Sequence, residues 1–159
     1  MSYQSVSSPP ARRRPVDSAE FALYRSSPGD PKAEKRFADH VLSRYPGDVW
    51  ALSTLALLAP SDKEFEAQIR NAIRIGLTGL ADRVNSGESV VAAGDAPAEA
   101  TLQALLLHAN HLAIRGRTDE ATETLRIMLD LDPSDAAGAI PMMERQGIVI
   151  AAETSPRMN

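Results

Sequence analysis

Two histidines, His108 and His111, stand three residues apart in an alanine- and leucine-rich stretch with the pattern of a helix. At this spacing two imidazoles lie on one side of a helix and could bind a metal ion together. A metal site needs further ligands, and no third ligand stands at a supporting spacing. We therefore predict no metal site and interpret His108 as a histidine packed between helices.

Acidic residues gather where helices are predicted to begin, at Asp62, Glu64 and Glu66 and again at Asp119 and Glu120. The partial positive charge of a helix N-terminus explains them without a catalytic role. No glycine-rich phosphate loop follows a strand, and no Ser/His/Asp set can be argued from order or context. The chain has no cysteine, which excludes a thiol nucleophile. The sequence predicts a protein that is not an enzyme and needs no cofactor.

The composition favours helices and argues against nucleic acid as a partner. Of the 159 residues 43% are hydrophobic and only 4% aromatic, so the core must be mainly Leu, Ala and Ile, which suit helices. A net charge of −4 disfavours phosphate contacts. No apolar run reaches the roughly 20 residues of a membrane span, and the N-terminus lacks the apolar stretch of a signal peptide. We expect a single cytoplasmic domain.

The ends of the chain are predicted to lie outside the folded domain. Residues 1–16 are rich in Ser, Pro and Arg and too polar to offset the entropy of ordering. They include Arg12-Arg13-Arg14, which either keeps the tail soluble or touches an acidic partner surface, RNA or anionic lipid. Residues 148–159 form a second tail. Residues 17–147 are the predicted domain, in which 77–97, with three glycines and a proline, is an irregular insertion.

Capping and stop signals divide this domain into helices. Asp30 followed by Pro31 is typical of a helix start. Ser61 and Glu64 have the spacing of a capping box, and Gly76 is the predicted C-cap of the helix that they begin. The predicted helices are 17–25, 31–45, 49–59, 61–76, 98–115, one capped by Thr118 and ending at 131, and a last one that begins at Ser134 or Asp135.

Three of these helices share one apolar pattern with a spacing of four residues. The pattern occurs as Ala33-Phe37-Val41, as Phe65-Ile69-Ile73 and as Ala121-Leu125-Leu129. The first two copies are 32 residues apart, and the second and third are 56 apart. A helix-turn-helix repeat has a period of about 34 residues, and the insertion is the right length to supply the remaining 22 or so.

The unit from Leu102 to Asp135 resembles the tetratricopeptide repeat. Gly116 stands in the turn between its helices and Pro133 at its end, and His108 departs from the leucine that the family prefers at that place. The residues that match the bulky and small positions of the family's two helices are Leu105, Ala109, Leu112, Ala121, Leu125 and Met128.

The preceding unit, counted from Pro46, repeats the first-helix pattern of the family. Its matching residues are Leu52, Leu55, Ala56 and Ala59. Pro60 ends that helix about three residues early, and the first repeat keeps only its second helix clearly. The resemblance implies an all-α fold, a short α-solenoid of about 2.5–3 stacked helix-turn-helix repeats with the insertion between the second and third. An ordinary helical bundle is the alternative.

The resemblance also implies that alternate helices line a concave groove that holds another polypeptide. The positions of this chain that match the groove are Trp50, Thr54, Leu57, Gln103, Leu106, Asn110 and Ile114. The basic residues with which some family members clamp a C-terminal carboxylate are absent. We therefore predict an apolar groove for an extended apolar segment or an amphipathic helix.

The function predicted from these features is protein–protein interaction, as a scaffold-type adaptor or assembly subunit that binds another protein or peptide. A small chaperone for a secreted or assembling partner is one alternative, and an accessory or regulatory subunit of an enzyme complex is another. Self-association, or cover by the chain's own segments around residues 21–24, 90 or 148–150, would close the groove instead.

Overall fold

The computed structural model describes residues 30–87, 95–135, 138–145 and 147. Within these ranges the chain forms six helices and no strand, which confirms the all-α prediction. The helices are α1 (Pro31–Arg44), α2 (Val49–Leu57), α3 (Asp62–Asn85), α4 (Ala96–Ile114), α5 (Thr118–Leu131) and α6 (Ala139–Arg145). The predictions for residues 1–29, including the helix at 17–25, and for the tail at 148–159 lie outside the described residues.

Short side chains begin three helices where the sequence predicts them. Asp30 accepts a hydrogen bond from the backbone N–H of Lys32 at 3.0 Å, and Asp48 accepts one from Ala51 at 2.8 Å. The hydroxyl of Ser61 accepts one from the N–H of Glu64 at 3.2 Å. Each contact satisfies an N–H that has no partner within its own helix.

Three later helix starts differ from the prediction. Helix α4 begins at Ala96, two residues before the predicted start. Thr118 is the first residue of α5 and does not cap it; the capping position is Arg117, whose side chain makes no capping hydrogen bond. The last helix begins at Ala139, about one turn after the predicted start. Asp135 nevertheless acts on it, because its carboxylate accepts from the backbone N–H of Ala139 at 2.6 Å.

The predicted helix end at Gly76 is wrong. Helix α3 continues through Gly76 to Asn85, so the first nine residues of the expected insertion are helical. Gly76 is buried, and a β-carbon placed there would overlap Oγ1 of Thr101 on α4. The glycine allows α3 and α4 to approach each other closely and ends no helix.

Every helix packs against the next one along the chain, and α2 also packs against α4. The buried side chains form three clusters. The first joins α4, α5 and α6 and includes Leu105, Leu112, Leu125, Met128 and Met143. The second joins α2, α3 and α4 through Val49, Ala56, Ile69, Ala72 and Ala104, and the third joins α1 to α2 through Ala38, Val41 and Ala51. Helix α4 therefore lies at the centre of the described structure.

None of the helices in the described ranges is long and apolar enough to cross a membrane.

Candidate binding face

The three predicted groove residues of α2 differ in accessibility. Trp50 is half-buried and meets Phe37 of α1 edge to face, with ring centroids 6.2 Å apart. Thr54 is only 6% exposed, and its hydroxyl donates to the carbonyl oxygen of Trp50 at 3.0 Å. Leu57, by contrast, is 58% exposed. A partner could reach Leu57 but not the side chain of Thr54.

The four predicted groove residues of α4 also divide into two groups. Leu106 is half-buried and packs on the cluster shared by α4, α5 and α6. Gln103 and Asn110 are exposed, and Ile114 is 66% exposed. These three residues follow each other at intervals of seven and four, which places them on one face of the helix. Gln103, Asn110 and Ile114 are thus the exposed residues among the four predicted on α4.

Leu57 and Ile114 lie at the same end of the molecule. Each stands at the C-terminal end of its helix, and α2 and α4 pack against each other. Arg115, which follows Ile114, forms an ion pair with Asp62, which begins α3 shortly after Leu57. We call Leu57, Asn110 and Ile114, with Gln103 along α4, the docking face.

The structure contains a charged cluster beside the docking face that the sequence did not predict. Glu66 on α3 accepts hydrogen bonds from Arg117 at 2.6 Å and from Arg70 at 3.2 Å, and its Oε1 lies 3.3 Å from Nε2 of His111. Arg117 also donates through Nε and Nη2 to the two carboxylate oxygens of Glu120, both at 2.7 Å. We call these five residues the polar cluster; it joins α3, α4 and the start of α5.

The polar cluster gives Glu66 partners that its position near a helix start does not predict. Its helix-start position explained the acid locally, whereas its partners His111 and Arg117 are 45 and 51 residues away. The ring of His111 also lies against Phe65, with centroids 4.6 Å apart. The hydrogen bond from Arg117 lowers the pKa of Glu66, and the same residue lowers the pKa of Glu120. Both carboxylates are therefore held in the ionised form.

Replacing Glu66 by glutamine should lower the free energy of unfolding at pH 7 by about 1 kcal/mol, because Arg117 and Arg70 lose a charged acceptor that is partly shielded from water. Urea titrations of wild type and Glu66→Gln would measure the difference in the free energy of unfolding. The difference should shrink as the pH falls below about 4.5, the ordinary glutamate pKa, and vanish below the lowered pKa of Glu66.

The matched control is Asp39→Asn in the exposed pair Lys35–Asp39 on α1. It should cost about 0.5 kcal/mol or less, since exposed ion pairs contribute little. An equal loss of unfolding free energy in both variants would show that the polar cluster contributes no more to stability than an exposed ion pair.

His108 and His111 have different surroundings. The Nε2 of His111 faces Glu66, whereas His108 is 8% exposed and its Nε2 has no hydrogen-bond partner. No three His, Asp or Glu side chains among the described residues lie so that they could hold a metal ion. His108 is thus buried between helices, as we interpreted it.

Comparison of this chain with protein-family models, with curated proteins and with solved structures finds no match.

Proposed function

We propose that this protein is a non-catalytic adaptor or assembly subunit that binds an amphipathic helix or an apolar segment of another protein on the docking face. One observation carries the proposal. Leu57 and Ile114, at 58% and 66% exposure, end two helices that pack against each other. Leaving such side chains in water is unfavourable, and burying them against a partner gains roughly 25 cal/mol per Å² of apolar area.

We further propose that the helices form a tetratricopeptide-like stack in which α2–α3 and α4–α5 are successive units. Contact between α2 and α4 supports this, since first helices of neighbouring repeats lie side by side in such stacks. Ala51 and Ala56 on α2 and Ala104 and Ala109 on α4 support it too, as each is exposed by 1% or less and the pairs are 53 residues apart. The repeat period of about 34 residues leaves an excess that the second half of α3 and residues 86–95 supply.

The chemistry of the docking face indicates what kind of segment would bind. Leu57 and Ile114 offer apolar contact, while Gln103 and Asn110 bring amide groups that can donate and accept hydrogen bonds. Arg115, the nearest cation in sequence, already pairs with Asp62. This arrangement suits a helix with aliphatic side chains on one face better than a phosphorylated or C-terminal carboxylate motif.

Site-specific crosslinking tests the proposal. We would place the photoreactive residue p-benzoylphenylalanine at Leu57, at Ile114 or, as a control, at the exposed Gln68 on α3. After irradiation in an extract of the native host, positions 57 and 114 should crosslink to the same protein and position 68 should not. Equal labelling at all three positions, or a crosslinked dimer of the chain itself, would contradict the proposal.

Binding to the captured protein should fall at least tenfold in Ile114→Glu and in Leu57→Glu, since each variant places a charge in the centre of the contact. The free energy of unfolding should change by only about 0.5 kcal/mol, because both positions are largely exposed. Isothermal titration calorimetry and urea unfolding would measure the two quantities.

Val84→Glu is the matched control for these variants. Val84 is 57% exposed and lies 22 residues after Asp62 on α3, about 33 Å along the helix axis. Its substitution should leave binding unchanged. If Val84→Glu weakened binding as much as Ile114→Glu, the partner would contact a different surface.

A further inference from the structure

Nε2 of His108 is the one buried side-chain nitrogen or oxygen in the described part of the chain that lacks a hydrogen-bond partner. An imidazole nitrogen donates or accepts according to its tautomer, so leaving it alone in a buried site is unfavourable either way. A leucine, the residue that the tetratricopeptide resemblance implies here, would avoid this cost. The presence of a histidine therefore calls for a physical role.

The groups around His108 come from three helices and include most of the polar cluster. His108 interacts electrostatically with Glu66 and Arg70 of α3, with His111 of α4 itself and with Arg117 at the start of α5. With the imidazoles neutral, the two arginines and the two glutamates of the polar cluster sum to zero charge. Both carboxylate oxygens of Glu66 already accept hydrogen bonds from Arg117 and Arg70. Glu120, the other acid of the cluster, is engaged by Arg117.

A proton on His108 would therefore enter a buried place in which both acids of the polar cluster are already paired with arginines. Burial contributes most to lowering the pKa of His108, and Arg70 lowers it further, while Glu66 acts in the opposite direction. The folded protein holds His108 neutral, whereas the unfolded chain allows it to protonate at its ordinary pKa of about 6.5.

We propose that His108 acts as an acid-sensitive switch, whose neutral form keeps α4 packed on α3 and α5 and whose protonation loosens these contacts. The position of α4 makes such a switch effective, because α4 also packs against α2 and carries the outer part of the docking face. The switch does not depend on what the docking face binds.

The direction and size of the effect follow from proton linkage. A pKa that is lower in the folded state makes the contribution of His108 complete above about pH 6.5 and progressively lost as the pH falls towards the folded-state value. Between pH 7.5 and pH 5.5 the folding equilibrium constant should fall by up to about tenfold from this residue alone, the limit that applies when folded His108 stays neutral at pH 5.5. The carboxylates of Glu66 and Glu120, with their lowered pKa values, stay ionised throughout this range.

The test is urea unfolding of the full chain at pH 7.5 and pH 5.5, as wild type, as His108→Leu and as His40→Leu. His40 lies on α1 and is exposed. Wild type and His40→Leu should lose up to about tenfold in the folding constant at the lower pH, and His108→Leu should lose much less. The proposal would be overturned if His108→Leu kept the full loss in the folding constant, or if wild type showed no loss.

Two further measurements keep the test decisive if His108→Leu folds poorly. His111→Gln removes the other histidine of the polar cluster and should retain the wild-type loss; a much smaller loss would assign the effect to His111. In wild type, the NMR signal of the His108 Hε1 proton should titrate well below pH 6.5. Titration at or above that value, as for a solvated imidazole, would overturn the switch.

Discussion

Gly76→Ala should lower the free energy of unfolding by about 1–3 kcal/mol, although alanine is the better helix former. The new β-carbon would overlap Oγ1 of Thr101 and would lie 2.9 Å from its Cγ2 and 3.1 Å from its Cβ. Rotation of the threonine side chain cannot relieve this overlap fully, because its Cβ would still have to move by a few tenths of an ångström. The two helices must separate, and contacts along the α3–α4 interface weaken. Thermal and urea unfolding would measure the loss.

Gly79→Ala is the matched control within the same helix. A β-carbon there meets nothing within 4 Å, and the site is exposed. The substitution should stabilise by about 0.5–1 kcal/mol, because alanine loses less backbone entropy than glycine when the helix forms. If both glycine variants were stabilised, the close approach of α3 to α4 would be wrong.

Thr101→Ala should partly rescue Gly76→Ala, because it removes the Oγ1 and Cγ2 atoms that overlap most. Alone it leaves a small cavity and removes the hydrogen bond from the Thr101 hydroxyl to the carbonyl oxygen of Pro97. The loss in the double variant should therefore be smaller than the sum of the two single losses. Additive losses would mean that the two residues are not in contact.

Leu125→Ala should cost about 2–5 kcal/mol, because it opens a cavity in the largest cluster. Leu125 has no exposed surface, and its cluster contains Leu105 and Leu112 of α4 and Met143 of α6. The loss within this range depends on how far the neighbouring side chains move into the cavity. Amide exchange in α6 should also accelerate, since that short helix depends on the same cluster. Urea unfolding and hydrogen exchange would measure the two effects.

Leu57→Ala is the control for this loss, because it removes the same atoms from a side chain that is 58% exposed. Its cost should be about 0.5 kcal/mol. Similar costs for the two leucines would contradict the burial of Leu125. A small cost for Leu57 alone would show that the docking face can be altered without unfolding the protein.

The positions of most helices could be predicted from the sequence because the signals are local. Asp30, Asp48 and Ser61 each accept from a backbone N–H two or three residues ahead, so the contact is visible in the sequence itself. Gly76 could not be interpreted in this way. A glycine suits both a helix end and a close helix approach, and the residue that decides between them, Thr101, stands 25 positions further along.

The docking face was predictable only in part, since accessibility depends on how many neighbours a helix has. Thr54 and Leu57 are one turn apart, yet α2 packs against α1, α3 and α4, and this enclosure buries the first and leaves the second open. The polar cluster had no sequence signal, because Glu66 meets Arg117 only after α3, α4 and α5 pack.

By itself the sequence determined an all-α chain, most helix starts and a leucine- and alanine-rich core, since these follow from short-range hydrogen bonding and side-chain type. Only the tertiary structure decided which residues are accessible, that Gly76 lies inside a helix, and that His108 is buried beside the charges of Glu66 and Arg70. The reason is physical: burial and electrostatic environment are produced by helices that are distant in sequence and meet only when the chain packs.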